Sequence, residues 1–470
     1  MEKNAADVYI PAFYAGRSIF ITGGTGFLGK ALIEKLLRSC PDVAEIYVLI
    51  RPKKGLSVRE RLKKILDNKL FDVLRSKQPS SFDKVIPITG NVAAENLGLC
   101  EADREKLIDK VSIIFNVAAS VRFDESLKDA IFNNTRSTRD LCILAENMKQ
   151  LVVLLHVSST YAHTDKPVVE EILYPSDSNF DWKKTIKIVE SIDDHVLRIS
   201  TAKYLGIMPN TYTFSKRLAE QIISDYSESL PSVIIRPSIV ISTLDDPVAG
   251  WIDNFNGPIG MLIGGGKGVL RVLWSDPTII SDFAPVDAAI KGIIITAWKR
   301  GIKTEDKTTD VYNCSSSQMK SMSIDHIVRI GFSFIKDVPM NNTIWKPGTT
   351  ITKSYWIYYI SVLLLHILPA IFLDGVMKLL GVRPILFRIQ KKVYVSNKAL
   401  SYFLFNQWKF VNTKLLTTLD NLSADNKKEF EFPYQVVDLL EYFKKGMIGA
   451  KLYLLNEKIN DPETKRHYNR

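Results

Sequence analysis

FITGGTGFLGK, residues 20–30, sets Gly23, Gly26 and Gly29 at G-x-x-G-x-x-G spacing, after the apolar run 18–22 and before the helix-period segment KALIEKLLRSC, 30–40. In that segment Ala31, Leu32, Ile33, Leu36 and Leu37 cluster on one side, as a crossover helix packed on a sheet requires. The next run, EIYVLIR at 45–51, reads as a second strand, so the stretch is a β-α-β unit. Glycines there let the turn tighten and let the backbone approach a pyrophosphate, whose charge meets the N–H groups opening the helix. Gly24 to Lys30 also spells G-x-x-x-x-G-K, but Ala31 follows and has no hydroxyl for a magnesium ion, which argues against a nucleoside triphosphatase loop.

Further apolar runs at 84–89, 111–117, 151–157 and 233–235 are short and separated by helical stretches. The pattern predicts a Rossmann-like, doubly wound, mostly parallel α/β sheet with both faces covered. The alternation stops near residue 335, and a polar stretch leads to 19 residues without a formal charge, Tyr355 to Leu373, broken by Ser361, His366 and Pro369. This length suffices to cross a bilayer, and Lys378, Arg383, Arg388, Lys391 and Lys392 follow it. The polar interruptions favour membrane contact over a true span, with a buried helix or an interfacial hairpin bent at Pro369 as the other readings. The expected partition is therefore 1–335 for the nucleotide-binding domain, 336–394 for a linker with the membrane-associated segment 355–373, and 395–470 for a mostly helical C-terminal domain.

A hydrophobic share of 46% rules out disorder of the whole chain, and Lys plus Arg (62) exceeding Asp plus Glu (51) favours phosphate-bearing partners. That excess is spread out and no recognition motif accompanies it, which argues against nucleic acid. Cys40, Cys100, Cys142 and Cys314 show no C-x-x-C spacing and the six histidines form no ligand set, so no metal is expected. The N-terminus lacks the apolar run of a signal peptide, which places the catalytic part in the cytosol. No G-x-S-x-G elbow occurs, Cys142 reads as core, and Cys314 is the candidate thiol nucleophile. Gly264 to Gly268, with Lys267 among them, reads as a flexible loop near a substrate.

The end of the second strand selects the cofactor, since an acid there would bond a ribose 2′-hydroxyl and a base would suit a 2′-phosphate. Here the strand ends IRPKK, and Arg51, supported by Lys53 or Lys54, selects NADPH over NADH. Downstream, Tyr212 and Lys216 stand four apart on one helix face, where an ammonium can lower the pKa of a phenol and make it a general acid. The spacing alone is common, as Tyr394 and Lys398 show, but LLHVSSTYAH also ends a strand with Ser158 and Ser159. Ser159 is the candidate that polarises a carbonyl beside Tyr212, with Ser158 the alternate.

Taken together these residues resemble the extended short-chain dehydrogenase/reductases and, more narrowly, the insect-type fatty acyl-CoA reductases. The likeness is carried by FYAGRSIFITGGTGFLGKALIEKLL, IYVLIRPKKG, NVAASVRFDE, HVSSTYAH, Tyr212-x-x-x-Lys216, IIRPSIV, DFAPVD and SYFLFNQWKF. It implies cofactor contacts from Thr22, Gly23, Gly26, Phe27, Leu28 and Gly29, from Arg51, Asn91, Val92 and Ala118, and from Tyr212, Lys216, Pro237 and Ser238. Asn91 replaces the acid that commonly follows Gly90, and Asn116 replaces a common histidine; Asn91 keeps the ability to bond an adenine edge.

The implied activity is reduction of a long-chain acyl-CoA to a primary alcohol through an aldehyde, with two NADPH and release of coenzyme A. It would occur at a membrane of the endoplasmic reticulum, peroxisome or lipid droplet, with membrane lipid as partner. The insertion between Ser159 and Tyr212 and the C-terminal domain would shape the acyl tunnel. Rival readings are a steroid or small-carbonyl reductase of the same fold and a non-catalytic NADPH-binding lipid sensor.

Overall fold

A computed structural model describes residues 9–53, 55–175, 180–303, 308–317, 321–432 and 437–459. Strands β1 (Ser18–Thr22), β2 (Glu45–Ile50), β3 (Val85–Thr89), β4 (Val111–Asn116), β5 (Val153–Val157), β6 (Ser232–Pro237) and β7 (Asp310–Cys314) form one sheet. Its order is β7-β6-β5-β4-β1-β2-β3, and every neighbouring pair is parallel. Every residue of β1, β4, β5 and β6 is buried, which is why these runs are almost continuously apolar instead of alternating. The order reverses between β1 and β4, whose register pairs Thr22 with Asn116, so the crevice of the sheet opens beyond these two residues.

Three helices position the chemistry. Helix α1 (Phe27–Ser39) follows the glycine turn and buries Ala31, Leu32, Ile33, Leu36 and Leu37. Helix α2 (Thr211–Asp225) starts at Asn210, whose side chain accepts a bond from Thr213 N at 2.9 Å, and carries Tyr212 and Lys216. Helix α3 (Val286–Gly301) is mostly buried, and its Ile294 carbonyl accepts a bond of 2.8 Å from the Tyr14 hydroxyl. One hydrophobic cluster runs from Phe20, Tyr47, Ile114 and Leu154 to Phe214, Leu218, Ile222 and Ile234. Part of the insertion between Ser159 and Tyr212 joins it through Trp182, Ile186, Val189, Leu197 and Leu205, each such burial stabilising by about 1.5–3 kcal/mol.

The chain divides into two compact units that are discontinuous in sequence. The first holds 1–238, 284–318 and 409–433; the second holds 239–283, 319–408 and 434–470. Each body gathers segments far apart in sequence, because periodicity reports the type of an element and not the body on which it packs. Strand Lys409–Phe410, for example, pairs with Val168–Val169 of the first unit.

The second unit is largely helical in its later part. Helix α4 is Gly257–Gly266, so Gly264 to Gly266 form a helix end, not the flexible loop expected. Gly268 beyond it has φ +68° and lies against the Trp345 carbonyl, a position closed to a side chain. Helix α5 (Tyr355–Leu379) continues through Pro369 and beyond the expected end at Leu373. One wide π turn, Leu363–Ile367, precedes the proline and takes up the missing N–H and the crowding of its ring. The bend lies instead between α5 and helix α6 (Leu386–Phe405); helix α7 (Leu439–Gly449) follows later.

Candidate active site

The glycines of the first turn have different reasons. A Cβ on Gly23, at φ +75°, would lie 2.6 Å from Ala118 N, and one on Gly29 would lie 2.2 Å from Gly23 O, so the protein's own backbone excludes side chains at both. A Cβ on Gly26 would meet only Gly23 O, at 3.2 Å. Gly26 is the N-cap of α1, with φ −83° and ψ −179°, and it offers no side chain to the first turn. Apart from that one tight backbone contact the Gly26 position is open, and an anion drawn to the helix N-terminus fits it.

Thr22 stands at the crevice with its hydroxyl already committed. Oγ1 donates to Asn116 Oδ1 at 2.7 Å and accepts from Ala118 N at 3.2 Å, locking the ends of β1 and β4 together. The amide of Asn116 lies 3.0 Å from His156 Nδ1 and 3.3 Å from Thr138 Oγ1. Burial, aided by Lys216, pushes His156 down to about 3, so its imidazole is neutral and accepts through Nδ1. Asn116 thus serves as an internal link across three strands.

Beyond β5, Ser159 and Tyr212 come together. Ser159 is buried, its Oγ accepts from Tyr161 N at 3.2 Å, and its hydroxyl lies near enough to the Tyr212 phenol to favour the ionised form. Burial pushes that phenol up to about 12, opposed by the nearby Ser159 hydroxyl. Phe123 packs against the Tyr212 ring with centroids 5.6 Å apart. Lys216 is buried, its Nζ donates to the Val157 carbonyl at 2.7 Å, and burial lowers its pKa to about 8. Desolvation is the larger influence on the phenol, and Lys216 is anchored on the end of β5. Ser158, the alternate, donates its N–H to Ile235 O at 2.8 Å, and its buried hydroxyl has no partner among the described residues. The same holds for the Ser238 hydroxyl, while Ser238 N donates to Cys314 O at 3.0 Å and Pro237 ends β6 beside it.

Two supports of α2 escape sequence reasoning. Glu220, one turn after Lys216, is buried between Arg236 and His163. Arg236 donates to it from Nε at 2.8 Å and from Nη2 at 2.6 Å, and His163 Nε2 lies 2.8 Å from Oε2. Burial alone would raise this carboxyl, but Arg236 and His163 hold it well below its usual value. The pair clamps α2 to β6 one residue before Pro237. An arginine inside VIIRP, an otherwise apolar strand, was a readable sign that a buried carboxylate must exist. The second support is Asn134, in a π turn at Ile131–Arg136, which donates from Nδ2 to Ser215 Oγ at 2.8 Å; polar residues in a helical run carry no such signal.

On the other side of the glycine turn, a cleft of about 340 Å³ is lined by Thr25, Lys30, Lys53, Leu56, Arg61, Lys64, Ile65 and Asn68. Arg51 is exposed, and its carbonyl accepts a bond from the Arg61 guanidinium, so the end of β2 borders this basic cleft. Lys54 lies outside the described residues. Asn91 spends Oδ1 on Ala93 N at 3.3 Å and its own N–H on Leu97 O at 2.7 Å, shaping the turn after β3, and Val92 packs on the core. Phe27 and Leu28 open α1. Cys314 is buried at the end of β7, and no cluster of metal-ligating side chains occurs among the described residues.

These features fit a dinucleotide: a bare backbone at a helix start, unpartnered hydroxyls on Ser158 and Ser238 and a basic cleft beside the second strand. The male sterility protein family matches residues 21–293 through its NAD-binding part and 365–457 through its Sterile part. The chain is 37% identical to fatty acyl-CoA reductase 1 of Xenopus laevis, covering 98% of this chain and 89% of that protein. It is 35% identical to fatty acyl-CoA reductase 1 of Homo sapiens, covering 98% and 90%. Among solved structures, the terminal R domain of the myxalamid PKS-NRPS pathway superposes with a TM-score of 0.65 at 18% identity, covering 94% of this chain and 93% of that one.

Proposed function

Since the chain belongs to the fatty acyl-CoA reductase family and is an NAD(P)H-dependent oxidoreductase, we propose that it reduces long-chain acyl-CoA with NADPH to a primary alcohol. The observation that carries this reading is the meeting of Ser159, Tyr212 and Lys216 on the carboxyl side of the sheet that carries the Gly26 turn. Thr22 would act through the shape it gives that turn, while Gly23, Gly26, Phe27, Leu28 and Gly29 would hold the pyrophosphate. Val92, Ala118, Pro237 and Ser238 would line the remainder of the cofactor site, with Asn91 near the adenine. The cleft with Lys53, Arg61 and Lys64, bordered by Arg51, supports a 2′-phosphate and hence NADPH.

The reduced nicotinamide, when bound, supplies a hydride to the carbonyl carbon of the thioester and, in a second round, of the aldehyde. In the first round Ser159 and Tyr212 bind the carbonyl oxygen and stabilise the oxyanion as the C–S bond breaks and coenzyme A leaves as thiolate. In the second, Tyr212 gives its proton to the alkoxide. Lys216, with a pKa near 8, can return that proton near neutral pH. Helix α5 supports work at a membrane that holds the acyl chain.

The test is an assay of the detergent-solubilised protein with acyl-CoAs of graded length and NADPH or NADH, with products identified by mass spectrometry. Primary alcohol with about two NADPH consumed per product, lost at least about 100-fold in Tyr212→Phe, is the expected result. Full alcohol formation by Tyr212→Phe would remove the acid role, and turnover of a ketone but of no acyl-CoA would remove the substrate class.

A further inference from the structure

Helices α5 and α6 make a hairpin whose two ends are tied to adjacent residues. Ser275 N donates to Thr352 O, just before α5, at 3.1 Å, and Asp276 N donates to Leu404 O, at the end of α6, also at 3.1 Å. Both arms are also held along their length. Arg271 N donates to His366 Nε2 at 3.1 Å on α5, while Gln390 Nε2 donates to Val269 O at 3.1 Å and Trp274 N to Asn397 Oδ1 at 3.0 Å on α6. Asp374 closes the turn by accepting from the N–H groups of Ile385, Leu386 and Phe387 at 3.1, 2.9 and 2.8 Å.

Only one narrow line of α5 faces this body: Tyr358, Val362, His366 and Ala370, at every fourth residue, are buried. The outer face stands bare, with Trp356 72%, Phe372 70%, Leu379 89% and Leu380 73% exposed. The most apolar 18-residue window of α5 has mean hydropathy 2.1 and is 17% buried, an apolar surface far beyond what a water-soluble monomer leaves open. From 355 to 405 the sole acid is Asp374, against Lys378, Arg383, Arg388, Lys391, Lys392 and Lys398. All six of these cations are exposed.

We propose that residues 355–405 form a monotopic docking device, the outer face of α5 lying in one leaflet of an anionic bilayer while the cations of the hairpin meet lipid phosphates. This deepens the membrane association proposed above and is independent of the choice of substrate. A single crossing by α5 would put Thr352 and α6 on opposite sides, whereas Ser275 and Asp276 hold both ends together. A double crossing would carry Arg388, Lys391, Lys392 and Lys398 of α6 through hydrocarbon, each at about 2.5–3.5 kcal/mol. Lying in the interface costs neither, and anionic headgroups complement the charge.

The test uses the full chain with sealed vesicles of phosphatidylcholine alone or with phosphatidylserine. Flotation with the serine lipid, weakened in about 1 M salt where the screening length is about 3 Å, is expected. Flotation should fall at least about tenfold when Trp356, Phe372 and Leu379 are all changed to Glu, with no change in thermal unfolding because all three are exposed. Topology is read by labelling Lys353→Cys, before α5, and Val382→Cys, in the exposed turn between α5 and α6, each in a Cys100→Ser background, with a membrane-impermeant maleimide from outside; both should react fully, whereas a crossing would hide the turn. Protection of either position would overturn the one-leaflet placement while keeping membrane association. No flotation on any vesicle would remove both, and a dimer lost in the triple Glu variant, without flotation of the parent, would assign the face to a second copy.

Discussion

Replacing Gly26 by alanine separates what the glycine turn owes to folding from what it owes to a ligand. The new methyl group would meet Gly23 O at 3.2 Å and nothing else within 4 Å, and φ −83° suits any residue. The Gly23 carbonyl must give by a few tenths of an ångström, so folding should lose about 1 kcal/mol, in the range of a changed N-cap. A pyrophosphate drawn against this backbone would have to withdraw, and each charge-assisted bond it loses costs about 1.5–3 kcal/mol, or roughly 10- to 100-fold in affinity. Gly29→Ala is the contrast, because its Cβ would fall 2.2 Å from Gly23 O and 2.5 Å from Gly24 Cα, where only backbone movement can make room. Thermal unfolding of the apoprotein and titration with NADPH, followed by nicotinamide fluorescence, measure the two quantities. Gly26→Ala should melt close to the parent and bind NADPH at least about tenfold more weakly, whereas Gly29→Ala should melt well below it. Unchanged affinity in a folded Gly26→Ala protein would refute the placement of the cofactor phosphates on this turn.

Three other outcomes follow from the same geometry. Glu220→Gln leaves the Arg236 charge buried without its counter-ion and should cost about 3–5 kcal/mol in chemical denaturation, a parental midpoint being the contrary result. Lys216 has its pKa lowered to about 8, so its protonated form is lost as pH rises through that value, and turnover should decline above about pH 8. His156 stays neutral down to about 3, so no step in rate near pH 6.5 should come from it, and an alkaline limb surviving in Lys216→Met would exclude Lys216 as its source. Changing Lys53 and Lys64 together to alanine should raise the Km for NADPH about tenfold and leave NADH untouched; equal losses for both would detach the basic cleft from the 2′-phosphate.

What could be read directly was whatever has a local cause. The glycine spacing, the apolar runs of β1 to β6 and the Tyr212 and Lys216 pair depend on backbone freedom, on burial on both faces and on helical pitch, and each is a property of a few neighbouring residues. The same locality made the apolar part of α5 visible as a run of uncharged residues, although the helix continues past Leu373 through Asp374 and Lys378. That Pro369 would bend it was also a local inference, and a π turn earlier in the same helix removed the cause.

The rest depends on residues far apart in the chain. Thr22, Asn116 and His156 meet because β1, β4 and β5 are neighbours, and only that adjacency makes the Thr22 hydroxyl a tie between strands. Glu220, Arg236 and His163 are joined for the same reason, and the pKa of Tyr212 is governed by desolvation, which no spacing can convey. Ser159 and Ser158 look alike as a dipeptide at a strand end, and only the packing around α2 gives them different surroundings, Ser159 near the phenol and Ser158 with an unpartnered hydroxyl among the described residues. The amino-acid sequence by itself determined the parallel sheet, its nucleotide turn and the family, because backbone conformation and burial act over a few residues. Only the tertiary structure decided how its charges are paired and which body each helix joins, because electrostatics and packing act through space between segments the chain order keeps apart.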